Sequence, residues 1–578
     1  MSAPTKRRGP DGTNPGTVLL WVIIIAVAVL LIVTNLGVHF GRTIDNLPTI
    51  PLGNPFSLTL GLFNGKTEWT AGSWVSATIV VAGMAGLYFL GRVGFRSKSN
   101  RFPVDRAAQY MGKGKAITCV SYRGVREKAD VLGVKGVAGV FVGLSVATGM
   151  RLFTSWEDVA LLIAGPRTGK TTCLVIPPIA DAPGAVVTTS NKRDVVDATR
   201  LLRSAIGTVW VFDPQSVANE QPTWWWNPLS YVTNEVKSIQ LAKLFSDASR
   251  PSGSRRDAFF DGSAETLLSA MLLAAALEVR PLSMVYLWLT DVRNDEAVHI
   301  LRRHNEVKSA ASLQQIIYAP EKQKGGIYGT AQQIMSFLIN SEAVKWVEKT
   351  GTGDQRPEFN PTQFVRSTDT LYSLSKEGVG STGPLVTALT VAVTEAAEEY
   401  AKQQPGGRLA TPMLLILDEA ANICRWNNLP DLYSHYGSRG ISISTILQSW
   451  SQGVEVWGQD GMRKLWTAAN AKMYLGGVDE PQFLNDLSQL IGDFERNSRS
   501  VSYSAGGTSN QHQARFERVL DASDLRALPR GRAVLLYSGI PPVLMRTIPW
   551  MTGPHADKIK AGISRNRVSP ETVEIQGA

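Results

Sequence analysis

Residues 161–172 read Leu-Leu-Ile-Ala-Gly-Pro-Arg-Thr-Gly-Lys-Thr-Thr, a short apolar run opening into a loop of residue types that cradle phosphate. From Ala164 the spacing is small-x-x-x-x-Gly-Lys-Thr, the Walker A form, with Ala where the strict motif has Gly. The expected binding loop is Ala164, Gly165, Pro166, Arg167, Thr168, Gly169, Lys170, Thr171 and Thr172. Gly169 lets backbone N–H groups approach phosphate oxygens, and the N-terminus of the following helix favours negative charge. Lys170 is expected to reach the β- and γ-phosphates, and the Thr171 hydroxyl to ligate Mg²⁺. A second element, residues 413–419, reads Met-Leu-Leu-Ile-Leu-Asp-Glu, an apolar run delivering two carboxylates at its end. Asp418 is expected to hold Mg²⁺, directly or through water, and Glu419 to polarise an attacking water. Taken singly, one could be a chance glycine turn and the other an ordinary strand ending in acids. Together they indicate hydrolysis of a nucleoside triphosphate such as ATP, without saying what work it drives.

Such residues need a sheet whose strand ends lie side by side. Ala185-Val-Val-Thr-Thr-Ser and Thr208-Val-Trp-Val-Phe-Asp-Pro read as further buried strands. Strands alternating with helices imply an α/β fold with a parallel, doubly wound sheet. From about 232 to 350 the pattern turns helical, as in 263–278, Asp295–Arg303 and Gly329–Ile339, which reads as an all-α domain inserted in the sheet domain. Residues 92–150 are Gly- and Val-rich and suggest small strands leading into the sheet. Residues 494–515 are polar and read as a mobile loop, and Asp521–Tyr537 as a helix turn and a strand.

The chain has 578 residues, enough for two or more domains plus membrane segments. Its three cysteines, Cys119, Cys173 and Cys424, are scattered, which argues against a disulfide framework or a zinc site and fits a reducing compartment. Cys173, beside the loop, reads as a small apolar helix residue. Of the net charge of +10, residues 1–110 supply +6, so the bulk charge is mainly a topology signal and does not establish a nucleic-acid partner. Residues 17–38 carry no charge and are long enough to span a hydrocarbon core; 71–91 is a weaker candidate, with a buried helix as the alternative. Lys6, Arg7 and Arg8 precede the first stretch, and Arg92, Arg96, Lys98, Arg101 and Arg106 follow the second, while only Arg42 and Lys66 lie between. The positive-inside rule places both ends in the cytoplasm; a cleaved signal peptide is the competing reading of the first stretch. The expected organisation is a cytoplasmic tail 1–16, membrane helices 17–38 and 71–91 around an extracytoplasmic loop 39–70, and a nucleotide-binding domain 92–231 with 351–565. The all-α domain 232–350 and a tail 566–578 complete it.

Several motifs recur in the order of a known family. They are Ala-Gly-Pro-Arg-Thr-Gly-Lys followed by Val-Ile-Pro-Pro, Phe212-Asp213-Pro214, Trp226-Asn227-Pro228-Leu229 and Leu417-Asp418-Glu419-Ala420. Ser438-Arg439-Gly440-Ile441, Gln448-Ser449-Trp450-Ser451-Gln452 and Arg532 through Pro542 follow. On these, across about residues 17–550, the chain resembles the type IV coupling proteins of bacterial conjugation and secretion, the TraG/TraD-like ATPases. The resemblance implies a RecA-like motor, a homo-hexameric ring in the inner membrane, and delivery of relaxase-bound single-stranded DNA to a type IV secretion channel. It also implies that Gln448 senses the γ-phosphate and that Arg439, the nearest arginine before that strand, acts in trans as an arginine finger, although its spacing to Gln448 is short for the family. On spacing alone Gln448 could equally cap a turn, Arg439 form a surface ion pair, and Arg167 touch phosphate or solvent. Trp224, Trp225 and Trp226 read as core packing beside the Asn-Pro turn, with base stacking as the alternative. Arg255 and Arg256 read as a solvated loop, with contact to DNA phosphate as the alternative. Two other functions stay open: an FtsK/SpoIIIE-type double-stranded DNA translocase, against which counts the short stretch after Trp550, and an effector-docking receptor that uses ATP as a switch.

Overall fold

In the computed structural model the apolar runs are strands whose successive residues are buried on opposite faces of one sheet. The structure describes residues 15–48, 50, 54–96, 102–250, 257–378, 380–504 and 507–566. Lys6, Arg7, Arg8, Lys98, Arg101, Arg255 and Arg256 lie outside them, as do the two tails apart from Pro15, Gly16 and Asn566. The chain divides into two compact units at Phe102–Pro103.

In the first unit, helices Pro15–Ile44 and Ala71–Arg96 pack against each other with a short helix, Pro55–Phe63, between them in sequence. The close approach is made by small residues. A Cβ on Gly41 would lie 2.3 Å from Ser73 Cα, and Ser76 Oγ donates to the Gly37 carbonyl at 2.7 Å. Asp45 accepts the Gly72 N–H at 2.9 Å, capping the second long helix. Val27–Ile44 is long and apolar enough to cross a membrane, whereas the apolar run of the second helix, Ala71–Met84, is shorter. Val27, Leu30, Ile32, Trp74 and Ile79 are exposed on this unit, an apolar surface of the kind that marks a membrane or protein contact.

In the second unit the strands are β1 Val140–Ser145, β2 Arg151–Thr154, β3 Ala160–Ile163, β4 Val186–Ser190, β5 Val209–Phe212, β6 Thr370–Leu374 and β7 Met413–Leu417. They continue with β8 Ile441–Leu447, β9 Ala471–Tyr474, β10 Asp493–Ser504, β11 Gly507–Arg518, β12 Arg532–Tyr537 and β13 Val543–Arg546. Eleven of them form one sheet in the order β2-β1-β13-β12-β9-β3-β8-β7-β4-β6-β5. From β9 to β5 all neighbours are parallel; β12, β13, β1 and β2 extend the sheet antiparallel. The expected parallel sheet is thus present from β9 to β5 and carries an antiparallel edge in addition. Hairpin-connected strands close its edge with short turns where the parallel half needs helical crossovers. Leu161, Ile163, Val187 and Leu415 face one core, and Leu162, Val186, Leu414 and Ile416 face the other. Burial on both faces explains the continuous apolar runs of the parallel half.

Two expectations are corrected. Residues 103–131 are mainly helical, so among the described residues of 92–150 the strand is β1, and its partner β2 begins at Arg151. The polar stretch 494–515 is a two-stranded antiparallel hairpin, β10–β11, with Ser504 opposite Gly507. Its alternating Val501 and Tyr503 and the turn glycine favour a ribbon, although its polarity reads as a loop. The stretch after β5 holds helices Glu235–Ser249, Phe260–Leu277, Leu282–Thr290, Glu296–Arg303, Val307–Ile317 and Glu321–Ile334 before β6. Phe260–Leu277 is apolar enough to pass as a membrane span, but Leu267, Leu268, Met271 and Leu272 are buried among its neighbouring helices. These helices share one continuous core with the sheet face that carries Leu161 and Leu415.

Candidate nucleotide site

Strand register brings the two predicted elements level. Ile163, the last residue of β3, pairs with Leu447, the last of β8, and Leu417 of β7 pairs with Thr445 of β8. Ala164 thus leaves the sheet beside Gln448, its N–H donating to the Leu447 carbonyl at 2.9 Å. Asp418 and Glu419 emerge one strand further along the same edge. Ala164 is fully buried and keeps a negative φ, so a glycine is not required there.

The loop is braced from the other side. Gly165 N–H donates to the Gly476 carbonyl at 3.0 Å, and a Cβ on Gly165 would lie 2.0 Å from the Gly477 oxygen. Only glycine allows that approach. Gly476 and Gly477 follow β9 and were not anticipated from the sequence, where the signal was a Gly-Gly pair directly after an apolar strand. Thr168 Oγ1 donates to the Gly165 carbonyl at 2.9 Å and Thr172 Oγ1 to that of Gly169 at 3.0 Å, so the loop closes on itself. Gly169 has φ +92°, and Arg167, at φ +61°, is exposed at the apex beside exposed Pro166. Thr171 opens a helical segment that runs to Asp181. Its first turn, Thr171–Val175, is wound wide, with Ile176 N–H donating to the Thr171 carbonyl. Pro177 and Pro178, next in line, lack the N–H groups that a regular helix would bond to Cys173 and Leu174. Cys173 itself is buried, as expected, and burial raises its thiol pKa.

Four predicted side chains converge here. Lys170 Nζ forms an ion pair with Glu419 Oε1 and lies 3.3 Å from Asp418 Oδ1. Gln448 Nε2 donates to the other Glu419 oxygen at 2.6 Å, and Gln448 N–H donates to Gln452 Oε1 at 3.0 Å. Thr189 of β4, which the sequence reading missed, donates its hydroxyl to the Asp418 carbonyl at 2.8 Å. Glu419 sits in the left-handed region at φ 55°, ψ 42°. For a residue other than glycine this costs on the order of 1–3 kcal/mol, a strain that concentrates at functional positions. It turns the chain sharply out of β7 while its carboxylate meets Lys170.

Both acids are buried, Asp418 to 4% and Glu419 to 7% exposure. Burial pushes the Asp418 carboxyl up to about 6, the Lys170 ammonium offsetting only part of that rise. Burial also works against the charge on Lys170, but Asp418 and Glu419 together outweigh it and raise the ammonium pKa. Asp418 Oδ1 is buried and accepts no well-aligned hydrogen bond. A hard oxygen donor of that kind next to the loop lysine suits Mg²⁺, and Asp418 with the Thr171 hydroxyl would be the residues to hold it.

Arg439 does not join this cluster. It follows helix Leu429–Ser438 and precedes β8, at the opposite end of that strand from Gln448. Its Nη1 donates to the Gly407 carbonyl at 2.9 Å. The chain's own site therefore lacks Arg439, because a seven-residue strand carries it away from the loop edge. Trp224, Trp225 and Trp226 are buried among Trp210, Phe212, Trp346 and Phe359, which bears out core packing over base stacking. Asp213 accepts from the N–H groups of Val217, Ala218 and Glu220, and the Asn227 side chain accepts from Leu229 N–H, so both Pro-containing motifs are turn caps.

A family profile described as the TraM recognition site of TraD and TraG matches residues 412–530, the stretch that holds β7, Asp418, Glu419 and Gln448. Among curated proteins the chain is similar to Protein VirD4 of Agrobacterium fabrum (strain C58), 20% identical over 419 residues that cover 69% of this chain and 60% of that protein. The chain spans about 60% of the length of the curated relatives it matches. Among solved structures it is similar to the bacterial conjugative coupling protein TrwBdeltaN70 in its unbound monoclinic form, with TM-score 0.53, 18% identity, and coverage of 73% of this chain and 91% of that one. It is also similar to the plasmid coupling protein TrwB in complex with ADP and Mg²⁺, with TM-score 0.52, 16% identity, and coverage of 73% and 92%. These likenesses establish a RecA-like P-loop fold. The profile match, the curated relatives and the fold agree in likening the chain to the type IV coupling proteins of the TraG/TraD-like family.

Proposed function

We propose that this chain is an inner-membrane ATPase that couples relaxase-bound single-stranded DNA, or another nucleoprotein cargo, to a type IV secretion channel and powers conjugative transfer. The observation that carries the reading is the joining of Lys170, Asp418, Glu419 and Gln448 in one buried polar cluster at the phosphate-loop edge. Backbone N–H groups of Arg167–Thr172 bind the triphosphate. Lys170 exchanges its carboxylate partner for β- and γ-phosphate oxygens, which leaves Glu419 free to take a proton from the attacking water. Thr171 and Asp418 would hold a Mg²⁺ ion, which would supply screening of the phosphate charge. Gln448 keeps one Glu419 oxygen in place and, at the end of β8, links the fate of the γ-phosphate to the helix Trp450–Ala468 that follows. Helices Pro15–Ile44 and Ala71–Arg96 anchor the motor in the inner membrane with the second unit in the cytoplasm. The homo-hexameric ring rests on the family resemblance, as does an arginine supplied in trans, for which Arg439 stands as the sequence-based candidate.

The test is ATP hydrolysis by the full chain in detergent, with and without single-stranded DNA, beside Lys170→Ala. Wild type should hydrolyse ATP faster on adding single strands, and K170A should fall to background. Equal hydrolysis by both would remove the site assignment, and stimulation confined to duplex would turn the reading toward a double-strand translocase.

A further inference from the structure

The segment Arg526–Arg532 carries three arginines with different fates. Arg526 pairs with Asp479 at 2.8 and 3.1 Å, and Arg532 with Asp105 at 2.6 and 2.9 Å. Arg530, exposed between them, forms no ion pair with a carboxylate among the described residues. It stands instead over the phosphate loop. A Cβ on Gly169 would lie 3.6 Å from Arg530 Nε, 3.5 Å from Thr172 Oγ1 and 3.8 Å from Cys173 Sγ. Its positive charge is felt by the Cys173 thiol at the first turn of the loop helix.

The backbone beneath Arg530 is tied to the loop. A Cβ on Gly476 would lie 3.0 Å from the Leu528 carbonyl oxygen, and Gly476 in turn receives the Gly165 N–H. Gly531, at φ +90°, accepts the Thr547 N–H at 3.2 Å, and Arg532 N–H donates to the Pro529 carbonyl at 3.0 Å. The arginine is thus presented from a braced turn.

Sheet order sets the side from which it approaches. Relative to β3, strands β8 and β7 lie on one flank and β9 and β12 on the other. Val534 of β12 pairs with Tyr474 of β9, so the start of β12 is at the same sheet edge as the phosphate loop. Lys170, Asp418 and Glu419 meet on the β7 flank, whereas Arg530 comes from the β12 flank, nearest Gly169 and Thr172. Loop N–H groups at that end cradle the α- and β-phosphates, while the lysine reaches toward γ. Resting on the nucleotide reading above, we propose that Arg530 is a nucleotide-binding residue whose guanidinium grips the α/β-diphosphate of bound ATP or ADP. Because both nucleotides carry that group, Arg530 would hold the product as well as the substrate.

The test is calorimetric titration of ADP and of a non-hydrolysable ATP analogue, each with Mg²⁺, into the full chain in detergent, using wild type, R530A, R530K and K170A. A charge-assisted contact to phosphate should be worth about tenfold in affinity. R530A should lose about that much for both nucleotides, R530K should regain part of it, and the nucleotide-free melting temperatures should match wild type. Wild-type affinity in R530A alongside weakened binding in K170A would overturn the assignment while leaving the phosphate-loop reading intact. A loss confined to the triphosphate analogue, or equally lowered nucleotide-free melting in both Arg530 variants, would also overturn it. Absence of binding to the wild type would instead sink the phosphate-loop reading itself.

Discussion

Glu419 concentrates the chemistry of the site in one residue. It is buried, backbone-strained, and held at one oxygen by Lys170 and at the other by Gln448. Glu419→Gln keeps the shape and removes the base, so hydrolysis should fall by about 10²–10⁴-fold while ATP is still bound. Steady-state rates beside calorimetric titration check this, and loss of binding together with rate would show that Glu419 shapes the pocket instead. Gln448→Ala releases one carboxylate oxygen without touching the loop. It should lower kcat by about tenfold or more and leave KM for ATP within about twofold, the pattern of an interaction made chiefly in the transition state. Lys170 and Glu419 stood out in the sequence because a glycine loop and an acidic strand end are local signals, whereas Gln448 was singled out only by the family resemblance. Their mutual bonds, and Thr189 behind Asp418, were not legible there, since each partner lies on a different strand.

Among the elements, the turn at Gly476–Gly477 is as much a part of the phosphate loop as the loop itself. Gly165→Ala would drive a methyl group into the Gly477 carbonyl. Overpacking of this kind costs about 1–3 kcal/mol, so both nucleotide affinity and melting temperature should drop. The opposite sheet edge gives a contrast. Arg203 is fully buried and donates to the carbonyls of Ala182, Gly184 and Thr368 and to Thr370 Oγ1, tying helix Asp194–Arg203 to the starts of β4 and β6. Arg203→Met leaves those buried acceptors unmet, at about 1–3 kcal/mol each. Thermal unfolding should shift down markedly, with nucleotide affinity of the folded protein unchanged. A parallel loss of affinity would show that strain passes across the sheet. The hairpin β10–β11 is the converse case: its polar, Ser-rich sequence resembles a loop, and only the pairing of its two strands reveals it.

For the whole molecule, the proposed topology makes a direct prediction. Cys119 is exposed in the second unit and Lys66 lies exposed between the two long helices. In intact cells a membrane-impermeant maleimide should label K66C and spare Cys119 until the membrane is opened; labelling of Cys119 in intact cells would reverse the assignment of sides. Apolar runs for β3, β4, β5 and β7 stand out because burial on both faces demands uninterrupted hydrophobic residues. The antiparallel edge joins two hairpins, β1–β2 and β12–β13, that lie far apart in sequence, so their pairing leaves no local signal. By itself, then, the chain's sequence determined the chemistry available, since the loop and the acidic strand end are contiguous motifs whose side chains admit few other uses. Tertiary structure alone decided which groups meet. Register places Gln448 level with the loop, a seven-residue strand removes Arg439 from it, and a glycine turn together with a braced arginine close its far side. Such contacts join residues separated by hundreds of positions, and no local pattern encodes a distance of that kind.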